Sequence, residues 1–466
     1  MAKKSDNYRP GAIDVASVRM KNSDQTEVVD LTSLCVFFNI YEDIYNNCMQ
    51  ADFTLIDAQG LFSDFPINGD EVIEVAYKTS SDEIDFIDMI FRIYKVGPRE
   101  PVTDKSIRYT LYAVSEESIL DNVTRVDTVI QDVPISTMVR NVYNQYLKKA
   151  SIGIDSGMYI QKPDEFSDLL FPDGKTLTVE STLGNQRILP NRLQPLAYIN
   201  LLASEAEGLN SKSSTFLFYE TVDGFRFETL EHMARQDPIE DYIYVMKNKE
   251  LNPIQKDKFN EYQKIEDLVV KPIYDNVGKL MNGVFGSKVN YIDPLTKTFK
   301  TKEYNYGIEF GKESHTEEFK VINDHFLNRY DVVNSKSITM HSDASQALSK
   351  YILSKNPKIT FRRKQNFLSR EKTWQLNFES VKINYSIPGD STLRAGKCVS
   401  ITLPEASGTK DKLNKDDRYV KGNFIISSLR HHVNLASEKY TTYIECIKDS
   451  YSEELVNIPP DSEDWG

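Results

Sequence analysis

Residues 36–77, VFFNIYEDIYNNCMQADFTLIDAQGLFSDFPINGDEVIEVAY, decide the fold class. Val36, Phe38 and Ile40 alternate with their neighbours, which sends every second side chain to one face of a strand. A polar break over 42–47 follows, then a second run through Ala51, Phe53, Leu55 and Asp57. Gly60 and the cluster Pro66-Ile67-Asn68-Gly69-Asp70 punctuate the chain as turns do. Ile73, Val75 and Tyr77 form a third alternating run. Three short strands separated by turn chemistry, with no helical period, predict an antiparallel sheet or small barrel.

The same two-residue period extends on both sides. Residues 13–20 and 27–36 lead into the opening stretch, and 86–96 and 107–115 follow it, with Gly97-Pro98 as the turn between them. Residues 11–118 thus hold six or seven strands, enough to close a small barrel. The period then changes. Ile135, Met138, Val139, Val142, Tyr143, Tyr146 and Leu147 lie on one helical face, with Asp132 and Pro134 as its start. A second helix begins at Pro195, runs through Leu196, Ile199, Leu202 and Ala206, and stops at Gly208. Residues 215–219 and 225–230 make a hairpin around Asp223-Gly224, a two-residue turn. Helices are expected over 342–354 and from Phe361 into the 370s. Beyond them alternation returns through Val381, Ile383, Tyr385 and Ile387, then Val399, Ile401 and Leu403, then Phe424 and Ile426, then Tyr440, Thr442 and Ile444. Gly69 and Gly396 each precede an alternating run, a faint internal echo.

At 466 residues the chain predicts two to four domains, and 40% hydrophobic residues suffice for real cores. The fold class expected is α+β and β-rich. No window approaches eighteen apolar residues, so no membrane insertion is expected, and the N-terminus lacks the apolar core of a secretory signal. The 69 acidic against 56 basic residues give a net charge of −13, which argues against a protein that coats or reads nucleic acid. Cys35, Cys48, Cys398 and Cys446 form no CxxC pair and read as reduced, buried thiols of a protein made in a cytoplasm.

Several of these segments resemble one family, the baseplate hub proteins of contractile-tailed phages (T-even-like), related to the hub part of type VI secretion spikes. IYEDIYNNCMQADFTLID and LFSDFPINGDEVIEV match its first barrel: a strand ending in Tyr-Glu-Asp, then a Pro-Ile-x-Gly-(Asp/Glu)-Glu turn. LFYETVDGFRFETL matches its middle hairpin. SIPGDSTLRAGKCVSITLP with YVKGNFIISSLRHHVN and YTTYIECIKDS matches its second barrel, and 283–310, GVFGSKVNYIDPLTKTFKTKEYNYGIEF, matches the phage branch.

The resemblance implies two small antiparallel β-barrel domains flanking a mixed α/β middle. The divisions expected are a flexible N-terminal arm (1–10), a first tube-like barrel (11–118), a middle domain facing a spike (119–340), a helical lead-in with the second barrel (341–452) and an acidic tail (453–466). It implies a structural virion protein of the tail baseplate, assembled in the host cytoplasm. The chain would form a homotrimer that adapts the hexameric tail tube to the trimeric central spike. Its partners would be the tail tube protein ring, the central spike protein, and the tape-measure and wedge proteins. DNA would pass without specific binding, and an acidic wall would limit sticking. A spike-carrier of another injection system, of the type VI secretion kind, and a β-rich hydrolase are the alternatives. The match at 283–310 counts against the first.

No catalytic site, cofactor or metal is expected. Gly389-Asp390-Ser391 has the look of a lipase serine block, but it follows Pro388 and leads to another strand, so it reads as a turn. His431-His432 lies in a strand, where the two rings point to opposite faces, one packed and one exposed. His315 and Glu318 sit in a charged run that reads as a solvated face. The charged loop 405–421 is long enough to reach a neighbour, which makes Lys410, Asp411, Lys412, Asp416 and Asp417 candidate interface residues. The tail NIPPDSEDWG is either flexible or docks on a partner with Trp465 as its anchor.

Overall fold

The computed structural model describes residues 11–22, 27–65, 67–81, 84–129, 131–148, 174–210, 214–245, 260–272, 275–293, 297–341, 377–404, 417 and 419–455. The helices expected over 342–354 and beyond Phe361 fall outside these residues.

The opening stretch forms the strands Cys35–Asp43, Gln50–Asp57 and Val72–Thr79, as its alternation requires. Together with Val28–Asp30, Ile13–Lys21, Ile87–Val96 and Ser106–Val114 they make an antiparallel run of strands. Val18, Phe38, Phe53, Tyr77, Phe91 and Leu111 come from six of those strands and pack in one buried cluster, so this half of the sheet curls around its own core.

The second half is built from Asp241–Tyr244, Cys398–Thr402, Gly422–Asn434, Lys439–Lys448 and Val381–Pro388 around Tyr242, Ile383, Tyr385, Ile401, Phe424 and Ile444. Residues 264–272 serve both of its outer strands. Lys264–Ile265 pairs parallel with Asp241–Tyr244, and Asp267–Pro272 pairs antiparallel with Val381–Pro388.

The structure is β-rich with helices, as the sequence predicts, but the two halves are not separate barrels. They belong to one 15-stranded sheet. The join is the 13-residue strand Gly422–Asn434, whose one edge is shared. Its start pairs with Cys398–Thr402 and its end with Cys35–Asp43, in the register Val433↔Phe38 and Ser428↔Asp43. Among the described residues no pairing closes the first half on itself, because the free edge of Cys35–Asp43 is already taken by this strand.

A bulge at Ser427 makes the sharing possible. The residues facing the second core are Phe424 and Ile426 before it and Leu429 after it, so the inward parity changes from even to odd there. Without that extra residue one of the two pairings would present the wrong face.

Against this sheet sits a third cluster. The helix Ile135–Val142 continues into a π-helical turn, Tyr143–Leu147, and buries the predicted face. It packs on the helix Pro195–Glu205 and on the hairpin Phe216–Thr221/Gly224–Thr229. The second helix stops at Glu205, before Gly208, since Ala206 is already extended. The hairpin Gly286–Asp293/Thr298–Asn305 pairs with Ser337–His341 and, with short helices beside it, has a core of its own around Phe285, Tyr304, Tyr306 and Phe310.

Candidate interface: a buried junction of three segments

The sequence motifs that carry the resemblance turn out to hold backbone in place. Tyr41 donates its hydroxyl to Asp52 at 2.7 Å. The Asp57 carboxylate accepts the Gln59 and Gly60 amides, and the buried Glu71 accepts those of Asn68 and Gly69. Each acid sits two or three residues from the amides it caps, which is why this chemistry recurs at fixed local spacing.

Glu42 does something different. Its side chain is fully buried and accepts the Val222 amide at 3.1 Å and the Ala395 amide at 2.8 Å. These donors come from the middle hairpin and from the second half of the sheet, so one carboxylate ties three parts of the chain together. Arg394 closes the arrangement by donating to Asp223 at 2.8 Å and to the carbonyls of Ser391 and Leu393. Burial pushes the Glu42 carboxyl up to about 7, against the pull of Arg394 and the two amides. The Tyr-Glu-Asp signature was legible in the sequence. The role of its middle residue was not, because the partners are 180 and 353 residues away.

A second buried charge cluster lies nearby. Lys175 donates to Glu117 and to Glu220, both at 2.6 Å, and Glu220 also accepts the Met49 amide at 2.8 Å. Again the end of the first half, the middle hairpin and the opening stretch meet.

Gly389-Asp390-Ser391 leads out of the strand Val381–Pro388 into a turn at Ser391-Thr392. Ser391 is buried and exchanges hydrogen bonds with Thr79, and a Cβ on Gly389 would fall 2.0 Å from the Tyr440 ring. Of the two strand histidines, His431 is fully buried against the Tyr440 hydroxyl at 2.6 Å, while His432 is partly exposed and meets Asn39. His431 is held neutral, its pKa pushed down to about 3 by burial and then by Arg394. His315 is a correction. It is no part of a solvated face, because its ring is buried against Phe310 and its Nδ1 lies 2.6 Å from Asp449. All four cysteines are buried and free. Burial pushes the Cys35 and Cys398 thiols up to about 12, which leaves them inert.

Of the interface candidates, Lys410, Asp411, Lys412, Asp416 and Trp465 lie outside the described residues. Asp417 is engaged locally, its carboxylate accepting the amides of Tyr419 and Val420 at 2.9 Å. Where the two halves join, the sheet also carries a groove of about 550 Å³. Tyr41, Asp43, Asp267, Arg430, Tyr443 and Glu445 line it, with the Arg430 guanidinium 4.0 Å over the Tyr443 ring. Carboxylates, aromatic rings and a guanidinium side by side make a surface suited to contact with a partner.

No protein-family model matches the chain, and no curated protein matches it. Solved structures do. The fold is similar to that of the 43 kDa tail protein of prophage MuSo2 from Shewanella oneidensis, at 8% identity over 93% of this chain and 99% of that one, with a TM-score of 0.51. A tail protein from Neisseria meningitidis MC58 aligns at 12% identity over 95% and 97% of the two chains, with a TM-score of 0.49. An E. coli component of the type VI secretion system aligns at 7% identity over 94% and 77%, with a TM-score of 0.40. That likeness is one of fold, shared over nearly the whole chain with a prophage tail protein.

Proposed function

We propose that this chain is a structural component of a contractile injection machine, and within that class the central baseplate hub subunit of a phage tail. The observation that carries the reading is the sheet itself. Two curled halves, each with its own core, are fused through the shared strand Gly422–Asn434 and locked by Glu42 into one body. Three such chains in a closed ring would present six units at fixed spacing, which is what joining a hexameric tube to a trimeric spike requires. The halves would act as the two tube-like domains, and the elements between them would face the spike. The groove and the 405–421 loop are surfaces for the tube, the neighbouring subunit or the wedge proteins. The role is mechanical rather than catalytic, with DNA passing through the ring unbound, and its place is the virion tail.

Light-scattering mass across a dilution series tests the ring. Three times the 53.5 kDa chain supports it, and imaging should then show pseudo-sixfold density. A dimer at every concentration is incompatible with it.

A further inference from the structure

The unit spanning Asn276–Asn282 to Ser337–His341 has its own core, and among its several ties to the large sheet, which include the Lys279 bond to Ser380 and the Glu317 bond to the Asn423 amide, one is built around a histidine. There the short strand Phe319–Lys320 pairs with Ser450–Tyr451, Thr316 donates its amide and its hydroxyl to Asp449, and Glu317 donates its amide to Ser450. At the centre is His315, its ring stacked on Phe310 at 3.7 Å. Both ring nitrogens face acceptors. Nδ1 lies 2.6 Å from the Asp449 carboxylate and Nε2 lies 2.9 Å from the Phe310 carbonyl. A neutral imidazole has one N–H and can satisfy only one of them, whereas the imidazolium satisfies both.

We propose that His315 is a pH-sensitive latch, which fastens this unit to the sheet as the imidazolium and releases its hold as the neutral ring. Burial opposes the charge, but Asp449 and the Phe310 carbonyl outweigh it and raise the His315 pKa above 6.5. The latch is therefore complete below pH 6.5 and is lost as pH rises through the raised value.

The other charged and titratable groups around it come from every side. Lys448 ends the sheet strand Lys439–Lys448 and Asp449 follows it in the bend before Ser450–Tyr451, with Asp417 beside Lys448, and Glu313 and Glu317 lie on the histidine's own segment. Tyr306 and Lys320 pack toward the Phe310 ring, and Asp324 holds Lys320. Lys448 also titrates toward alkaline pH, its pKa lowered to about 8 by burial. Its sign is opposite, since losing the proton favours its buried place, so a histidine variant is needed to isolate the latch.

Hydrogen exchange on the full-length protein from pH 6 to pH 9, corrected for intrinsic rates, reads it out. Protection of 306–322, relative to the strand Gly422–Asn434, should fall at least tenfold across that range in the wild type. In His315→Gln it should be low and flat. A flat wild-type profile overturns the latch, as does a variant that keeps the wild-type decline. Should the variant fail to fold, NMR titration of the His315 ring in the wild type decides, and a ring that titrates at or below 6.5 overturns the latch.

Discussion

Tyr219 and Gly396 touch so closely that a Cβ on the glycine would lie 2.0 Å from the tyrosine hydroxyl. One belongs to the middle hairpin and the other to the turn before Cys398–Thr402, so their contact sets how near the hairpin approaches the sheet. The hydroxyl cannot swing away freely, because it donates to Glu228. Gly396 also has φ +80, in the left-handed region that a side chain resists.

Gly396→Ala should therefore cost roughly 2 to 4 kcal/mol, the sum of a left-handed alanine and an overpacked contact. Urea unfolding measures it. Adding Tyr219→Phe should recover part of the loss, since the nearest ring atom is then 2.9 Å away. Strictly additive losses would show that the contact does not set the approach.

The second prediction concerns pH. Glu42 has a folded pKa of about 7 against an ordinary 4.5, so its contribution is full below pH 4.5 and is lost as pH rises to 7. His431 has a folded value of about 3 against 6.5, so between those values the unfolded chain binds more protons and stability rises with pH. From pH 4.5 to 6.5 the two slopes oppose each other. Glu42→Gln should unmask a rise in stability with pH, and His431→Gln a fall, each by a few kcal/mol at most. Unfolding midpoints at pH 5, 6 and 7 decide, and curves parallel to the wild type would show that neither group titrates as described.

A third prediction follows from Lys175. Its two partners, Glu117 and Glu220, have side chains that are 0% and 1% exposed. Lys175→Met would strand both carboxylates and should cost about 3–5 kcal/mol. The triple variant K175M/E117Q/E220Q should regain most of it, because neutral amides need no counter-charge. A triple variant as unstable as the single one would mean that lysine packing, not charge, is what matters.

What the sequence discloses follows the reach of each interaction. The Asp223-Gly224 turn acts over two residues and was legible, whereas Asp57 was read only as the end of a strand run, although it and Glu71 cap amides two or three residues away. So was the apolar face from Ile135 to Leu147, because helical period is local. The continuous sheet was hidden, since pairing Phe38 with Val433 depends on a bulge far away in the chain. His315 was misread for the same reason: the acid that buries it is 134 residues on.

Ser427 offers the most direct test of that hidden join. Its side chain is buried and donates to the Glu445 carbonyl at 3.1 Å, while its own carbonyl accepts the Ile44 amide at 3.0 Å. Ser427→Ala removes one buried hydrogen bond and should cost about 1 kcal/mol. Deleting Ser427 is a different perturbation. It removes the bulge, so either Cys398–Thr402 or Cys35–Asp43 must pair one residue out of step and turn its apolar residues to the wrong face. The deletion variant should therefore show no cooperative unfolding transition in near-ultraviolet circular dichroism, while the alanine variant keeps one. If the deletion unfolds as cooperatively as the alanine variant, the two halves are held together by something other than the register of this strand.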